Sequence, residues 1–217
     1  MGLNQVTVPC TKLMLLLLAA MSARICDADE VPHSPVIFYL HGQIIEEQGP
    51  RPVHERWGLY DYPAVVDALG SSGARVISEV RARGTDVTHY ANQVAEEIEA
   101  LISDGVSPER IVVVGFSKGG GIAIFVSDHL NHPEIRFVFL AACSNWLSSV
   151  PDVRLTGHVL SVIEKSDTLG RSCKKLAKRN DELGSFQEVK IRTGKEHGAF
   201  YLPRQEWLDP VLDWIHR

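Results

Sequence analysis

The chain carries no surplus of positive charge: Lys and Arg number 22 against 27 Asp and Glu, a formal net charge of −5. Nothing stands ready to pair with a polyphosphate backbone, so no nucleic-acid partner is expected. There is no CxxC pair and no His/Cys cluster at zinc-like spacing, so no metal site is expected either. The dinucleotide loop G-x-G-x-x-G is absent. The phosphate loop that needs glycine, then lysine, then Ser/Thr is absent too, because Ser117 precedes Lys118. No internal repeat, low-complexity tract or linker divides the 217 residues, which suit a single core.

A long hydrophobic run is also missing. Leu13 to Met21 is apolar throughout, but as a helix it would span only about 14 Å at about 1.5 Å per residue. A bilayer core needs roughly 30 Å. With Lys12 before it and Ala20-Met21-Ser22 behind it, the run reads as a secretory signal peptide cleaved after Ser22 or Ala23. The expected organisation is a leader over 1–22, a linker over 23–34 and one domain over 35–217. The mature protein is expected to be exported, periplasmic or secreted, with no stable membrane insertion once the leader is gone. Cysteine is sparse. Cys10 leaves with the leader, and Cys26 follows Ala23-Arg24-Ile25, which is not a lipoprotein-like context. Cys143 and Cys173 remain, as a disulfide or as two buried thiols.

What the chain does have, from Pro35 on, is regular alternation. Short apolar stretches rich in β-branched and aromatic residues read as strands over 36–40, 75–80, 111–114, 137–142, 159–163 and 186–192. Helices are expected over 63–69, 88–103, 120–130, 171–180 and 206–215, with a polar loop over 42–61. The helix over 88–103 is the clearest, since Val94, Ile98, Leu101 and Ile102 recur at helical spacing with glutamates between them. This pattern predicts a three-layer, doubly wound α/β fold: a mostly parallel sheet of about six strands with helices on both faces. Ligands of such sheets bind at the carboxyl ends of the strands.

The third strand ends at Gly115-Phe116-Ser117-Lys118-Gly119. As a bare pattern G-x-S-x-G says little; a strand running in and a helix running out give it meaning. On such a turn the serine backbone is strained, the glycines avoid collisions, and Ser117 stands at a helix N-terminus that favours negative charge. A serine needs a base to take its proton. Among nine histidines only His197 follows the last strand and precedes the last helix. A carboxylate should orient that imidazole. Asp167 lies just beyond the fifth strand; Glu164 would still be inside it, and Asp152 is a weaker second. The N–H groups of Lys118 and Gln43, the latter beside Gly42 after the first strand, are the expected oxyanion donors. His41 reads as a structural residue bonded to nearby backbone.

These residues carry a resemblance. Residues 36 to 217, through His41-Gly42, Gly115-Phe116-Ser117-Lys118-Gly119-Gly120, Asp167 and His197, resemble the α/β-hydrolase superfamily, closest to its small lidless esterase and dienelactone-hydrolase-like members. The resemblance implies a Ser–His–Asp triad cleaving esters, thioesters or lactones of small molecules through an acyl-enzyme, without metal or organic cofactor. The alternative is a catalytically silent relative that binds a ligand or partner. Two readings concern the substrate. Arg81 and Arg83, with Lys118, form an electropositive rim, or else the arginines pair with Glu79 and Asp86. Trp146, Tyr201 and Phe200 line an acyl pocket, or else Phe200 packs in the core.

Overall fold

A computed structural model describes residues 34–71, 73–145, 150, 152–179 and 183–217. The leader and Trp146 lie outside the described residues. In chain order the elements are β1 (Val36–Leu40), α1 (Gln43–Gln48), β2 (Val53–His54), β3 (Gly58–Leu59), α2 (Tyr62–Gly70), β4 (Arg75–Ile77), α3 (Val87–Ser103), β5 (Ile111–Phe116), α4 (Lys118–Leu130), β6 (Arg136–Leu140), β7 (His158–Glu164), α5 (Lys174–Ala177), β8 (Ser185–Ile191) and α6 (Gln205–Ile215). Six strands form one parallel sheet in the order β4-β1-β5-β6-β7-β8, and β2 and β3 form a separate antiparallel pair. Among the described residues no helix is long and apolar enough to cross a membrane.

Strand pleating decides the layers. In β1, Val36, Phe38 and Leu40 face one core while Ile37 and Tyr39 face the other; β5 and β6 split the same way. The first core is closed by Ala91, Val94 and Ile98 of α3 and by Ile122 and Val126 of α4. The second is closed by Val65 and Leu69 of α2 and by Trp207, Val211 and Trp214 of α6. Both faces being covered explains why the strands read as unbroken apolar runs rather than alternating ones. Ile111 to Val114 are wholly buried, each worth roughly 1.5–3 kcal/mol over exposure, so β5 is anchored in both cores.

The sequence reading departs from the structure in three places. The loop expected over 42–61 contains α1 and the β2–β3 hairpin. The strand expected over 75–80 pairs only at Arg75 to Ile77, because it is an edge strand joined to β1 alone. The helix expected over 171–180 shrinks to Lys174–Ala177, since the backbone of Arg171 is drawn into a bridge with Cys143. Two caps fit expectation from residue type: Asp61 accepts from Ala64 N–H at 3.2 Å at the start of α2, and Asp86 from His89 N–H at 2.8 Å at the start of α3.

The chain reverses direction across the sheet at β1. From β1 it goes outward to β4 and then returns to β5 on the other side. The crevice at the carboxyl ends of β1 and β5 is therefore the place where a ligand is expected.

Candidate active site

Ser117 stands between β5 and α4 with φ 53° and ψ −115°. An L residue is strained there. Its N–H donates to Leu140 O at 3.0 Å, and its carbonyl accepts from Gly121 N–H at 3.0 Å, which hold the turn in place. The neighbouring glycines have physical reasons. A Cβ at Gly115 would lie 2.3 Å from Gly119 O, one at Gly119 would lie 2.0 Å from Leu40 O, and one at Gly120 would lie 2.3 Å from Ala142 Cβ. The helix and the strand crossing can approach this closely only without side chains.

Eighty residues later, His197 arrives on a 3-10 turn over Glu196–Phe200 that follows β8. Its Nε2 lies 2.9 Å from Ser117 Oγ, and its Nδ1 lies 2.8 Å from Asp167 Oδ2. Asp167 follows β7, and its Oδ1 accepts from Leu169 N–H at 2.8 Å. Burial pushes the Asp167 carboxyl up, but the hydrogen bond and charge of His197, with the N–H groups of Leu169 and Gly170, hold it below the ordinary carboxylate range. The imidazole is packed between Phe116, with ring centroids 4.9 Å apart, and Trp57, at 5.2 Å.

Glu164 was weighed against Asp167 in the sequence, and its position in the fold gives it another task. It ends β7, and its carboxylate spans two loops. Oε1 accepts from Ser166 N–H at 3.1 Å and Oγ–H at 2.9 Å, while Oε2 accepts from Thr193 N–H at 2.7 Å and Oγ1–H at 2.9 Å. Desolvation raises the Glu164 carboxyl, yet these four bonds leave it net lowered. One carboxylate thus fastens the loop of Asp167 to the loop that leads to His197. Ser166 Oγ also accepts from Glu196 N–H at 3.2 Å.

Gln43 and Lys118 are the first residues of α1 and α4. The first N–H groups of a helix have no partner inside it, and none of the described hydrogen bonds uses either one. A Cβ at Gly42 would come 3.7 Å from Ser117 Cβ, so the start of α1 lies against the serine. Both residues line a cleft of about 340 Å³ that holds Ser117 and His197, with Ala142, Ser144 and Leu169 on its walls.

His41 is wholly buried. Its Nδ1–H donates to Gly42 O at 2.9 Å and its Nε2 accepts from Arg81 N–H at 3.0 Å. Burial, then the nearby Arg81 charge, lowers its pKa to about 3.

The expected electropositive rim is corrected here. Arg81 is buried, with Nε 2.9 Å from Glu46 Oε1 and a second hydrogen bond to His41 O, so it cannot meet a substrate. Neither Glu79 nor Asp86 is its partner; Glu46 is. Lys118 Nζ takes the other oxygen of Glu46 at 2.6 Å, which explains a lysine where a helix dipole disfavours one. Arg83 is exposed and donates to Glu47 O at 2.7 Å, outside the cleft walls. Tyr201 is buried behind the site, stacked on Tyr60 with centroids 4.6 Å apart, and does not line the cleft; burial pushes its hydroxyl pKa to about 12. Phe200 is core. Cys143 and Cys173 are joined, S–S 2.17 Å and Cα–Cα 5.4 Å.

Glu46 and Trp57 escaped the sequence reading. Trp57 Nε1–H donates to Glu196 Oε2 at 3.0 Å and Arg56 to Oε1 at 2.6 Å, which ties the β2–β3 hairpin to the residue before His197. Both sit in the stretch read as a polar loop, where no periodicity marks them.

A six-stranded parallel sheet flanked by helices, with a strained serine after β5 and a histidine after β8, defines the α/β-hydrolase fold, and this chain has it. Solved structures of that fold superpose on it. Arabidopsis thaliana SOBER1 aligns with TM-score 0.55 at 14% identity, covering 85% of this chain and 98% of its own. EstE5 aligns with TM-score 0.59 at 12% identity, covering 85% and 78%. The hyperthermophilic esterase from the archaeon Pyrobaculum calidifontis aligns with TM-score 0.53 at 18% identity, covering 84% and 75%. No protein-family model matches the chain, and no curated protein matches it in sequence.

Proposed function

We propose that the protein is a serine hydrolase that cleaves carboxylic ester bonds of small molecules, thioesters and lactones included. The observation that carries the reading is the unbroken chain of two hydrogen bonds, 2.9 Å from Ser117 Oγ to His197 Nε2 and 2.8 Å from His197 Nδ1 to Asp167 Oδ2. Proteins of the same fold described as esterases, the one from Pyrobaculum calidifontis among them, support it.

In this reading Ser117 Oγ attacks the acyl carbon while His197 Nε2 takes its proton. Asp167 keeps the imidazole in the tautomer that accepts at Nε2 and stabilises the imidazolium that forms. The carbonyl oxygen, now negative, is met by the N–H groups of Lys118 and Gln43; one lost donor of this kind typically costs about 3–4 kcal/mol in the barrier. The bond to the leaving alcohol or thiol then breaks as His197 returns the proton to it. Water adds to the acyl-enzyme by the same route and releases the acid and Ser117 Oγ–H. These steps call on water and the substrate, and on no metal or organic cofactor.

The reading also places the mature protein outside the cytoplasm, on the apolar run over 13–21 and on the disulfide, which suits an oxidising compartment.

The test is a fluorophosphonate probe followed by peptide mapping, beside turnover of p-nitrophenyl butyrate. A label on Ser117 that vanishes in Ser117→Ala, together with turnover that vanishes in the same variant, is expected. A wild-type protein that takes no label and turns over no ester ends the proposal.

A further inference from the structure

The catalytic cleft does not end at Ser144. That residue is shared with a second, larger depression of about 750 Å³, whose walls include Cys143, Arg171, Lys174, Lys175 and Arg179. The two openings are neighbours by covalent geometry as well. Leu169 lines the cleft and Arg171 lines the depression, and two residues of chain reach at most about 7 Å. Cys143, which lines the depression, is bonded to Cys173.

The depression is basic in an otherwise acidic protein. Residues 171–179 hold Arg171, Lys174, Lys175, Lys178 and Arg179 with no Asp or Glu among them, while the whole chain has net charge −5. All five are exposed. Lys174 Nζ lies 3.6 Å from the buried carboxylate of Glu188, which is engaged already by Ser172 Oγ–H and Cys173 N–H. No described salt bridge involves Arg171 or Lys175. Holding these like charges side by side costs free energy. That cost is offset when a group of high negative charge lies among them. The ammonium of Lys175 and the guanidinium fork of Arg171 suit phosphate, which carries about −1.5 to −2 near neutral pH and three acceptor oxygens. The volume is of the size that binds a small organic ligand.

Taking the hydrolase reading as its base, we infer that the substrate is a phosphorylated ester: the acyl carbon meets Ser117 while a phosphate on the same molecule lies in the basic depression against Arg171 and Lys175. The electropositive surface thus lies on the far side of the cleft from the buried Arg81. It also draws the anion toward the site from a distance, an effect that weakens as salt is added.

Two esters that differ only in the phosphate, 1-butyrylglycerol and 1-butyrylglycerol 3-phosphate, test this on the full chain and on the Arg171→Gln/Lys175→Gln double variant. Lys174 is left in place because of its pairing with Glu188. At low ionic strength the wild-type kcat/KM is expected to be roughly tenfold or more higher for the phosphorylated ester, from charge-assisted bonds the other ester cannot make. The ratio is expected to fall roughly tenfold in the double variant, and 0.5 M salt is expected to lower it in the wild type. A wild-type ratio near unity, or one that the double variant keeps, overturns the inference. Fluorophosphonate labelling of Ser117 in the same preparations separates the two failures. Labelled protein without phosphate preference sinks the depression's role alone. Unlabelled protein that turns over neither ester sinks the hydrolase reading and this inference together.

Discussion

Lys118 Nζ lies 2.6 Å from Glu46 Oε2, on a carboxylate whose other oxygen holds the buried Arg81. A single buried acid therefore ties the residue after the candidate nucleophile to the loop beyond β4. Removing Glu46 strands a guanidinium whose side chain is 1% exposed. Glu46→Ala is expected to cost about 3–5 kcal/mol, or roughly 6–20 °C in melting temperature for a chain of this size. Lys118→Ala, which leaves the Glu46–Arg81 pair intact, is expected to cost far less. Thermal melts of the two variants check the order; equal losses would contradict the arrangement.

Asp167→Asn keeps the shape of the site but removes the charge that faces His197. The amide also favours the wrong imidazole tautomer. The expected result is a fall in kcat of about 10⁴ with KM little changed. Steady-state kinetics on a p-nitrophenyl ester measures it, and a fall under tenfold would mean that Asp167 does not orient the ring.

Gly119 and Gly121 lie two residues apart in α4 and should respond in opposite ways. A methyl group at Gly119 lands 2.0 Å from Leu40 O, on backbone that cannot give. At Gly121 it meets nothing within 4 Å. Gly119→Ala is expected to be insoluble or to melt many degrees lower. Gly121→Ala is expected to gain about 0.5–1 kcal/mol from helix propensity. Expression yield and melting temperature read both.

Acid should weaken the fold through His41. Its folded pKa is lowered to about 3, against about 6.5 unfolded. Between those values the unfolded chain binds the proton and the folded chain does not, so stability is full above pH 6.5 and falls as pH drops toward 3. From pH 6.5 to 4.5 the loss is roughly 2–3 kcal/mol. His41→Gln should flatten that part of the profile in urea titrations at several pH values. The depressed carboxyl of Asp167 adds a further loss, confined to pH values below its ordinary range.

The sheet was readable because buried parallel strands announce themselves as apolar runs. Five of the expected strands match to within about two residues, and the turn at Ser117 was marked by its glycines and by the elements around it. Arg81 was misjudged for a physical reason. Position after a strand says which end of the sheet a residue occupies, but not whether a counter-charge waits there. That counter-charge, Glu46, lies on a six-residue helix too short to show a period. Tyr201 was misjudged likewise, since a large aromatic ring beside His197 fits a pocket wall and a packed core equally well until Tyr60 is seen stacked on it. On one continuous helix over 171–180 the cations, at i, i+3, i+4, i+7 and i+8, would already share a face; what their spacing does not show is that four of them line a hollow that shares Ser144 with the cleft of Ser117.

The bond between Cys143 and Cys173 closes a stretch of 30 residues that contains Asp167. Arg171 lies inside that stretch and Lys174 and Lys175 follow its closing cysteine directly, so a single covalent latch holds the loop that supplies Asp167 at the start of the segment that supplies the cations. Where oxidants keep the latch shut, that loop has little freedom to lose when a substrate arrives. Where thiols are kept reduced, the same polypeptide would retain its sheet and its serine, but the wall that shapes its choice of substrate would rest on packing alone.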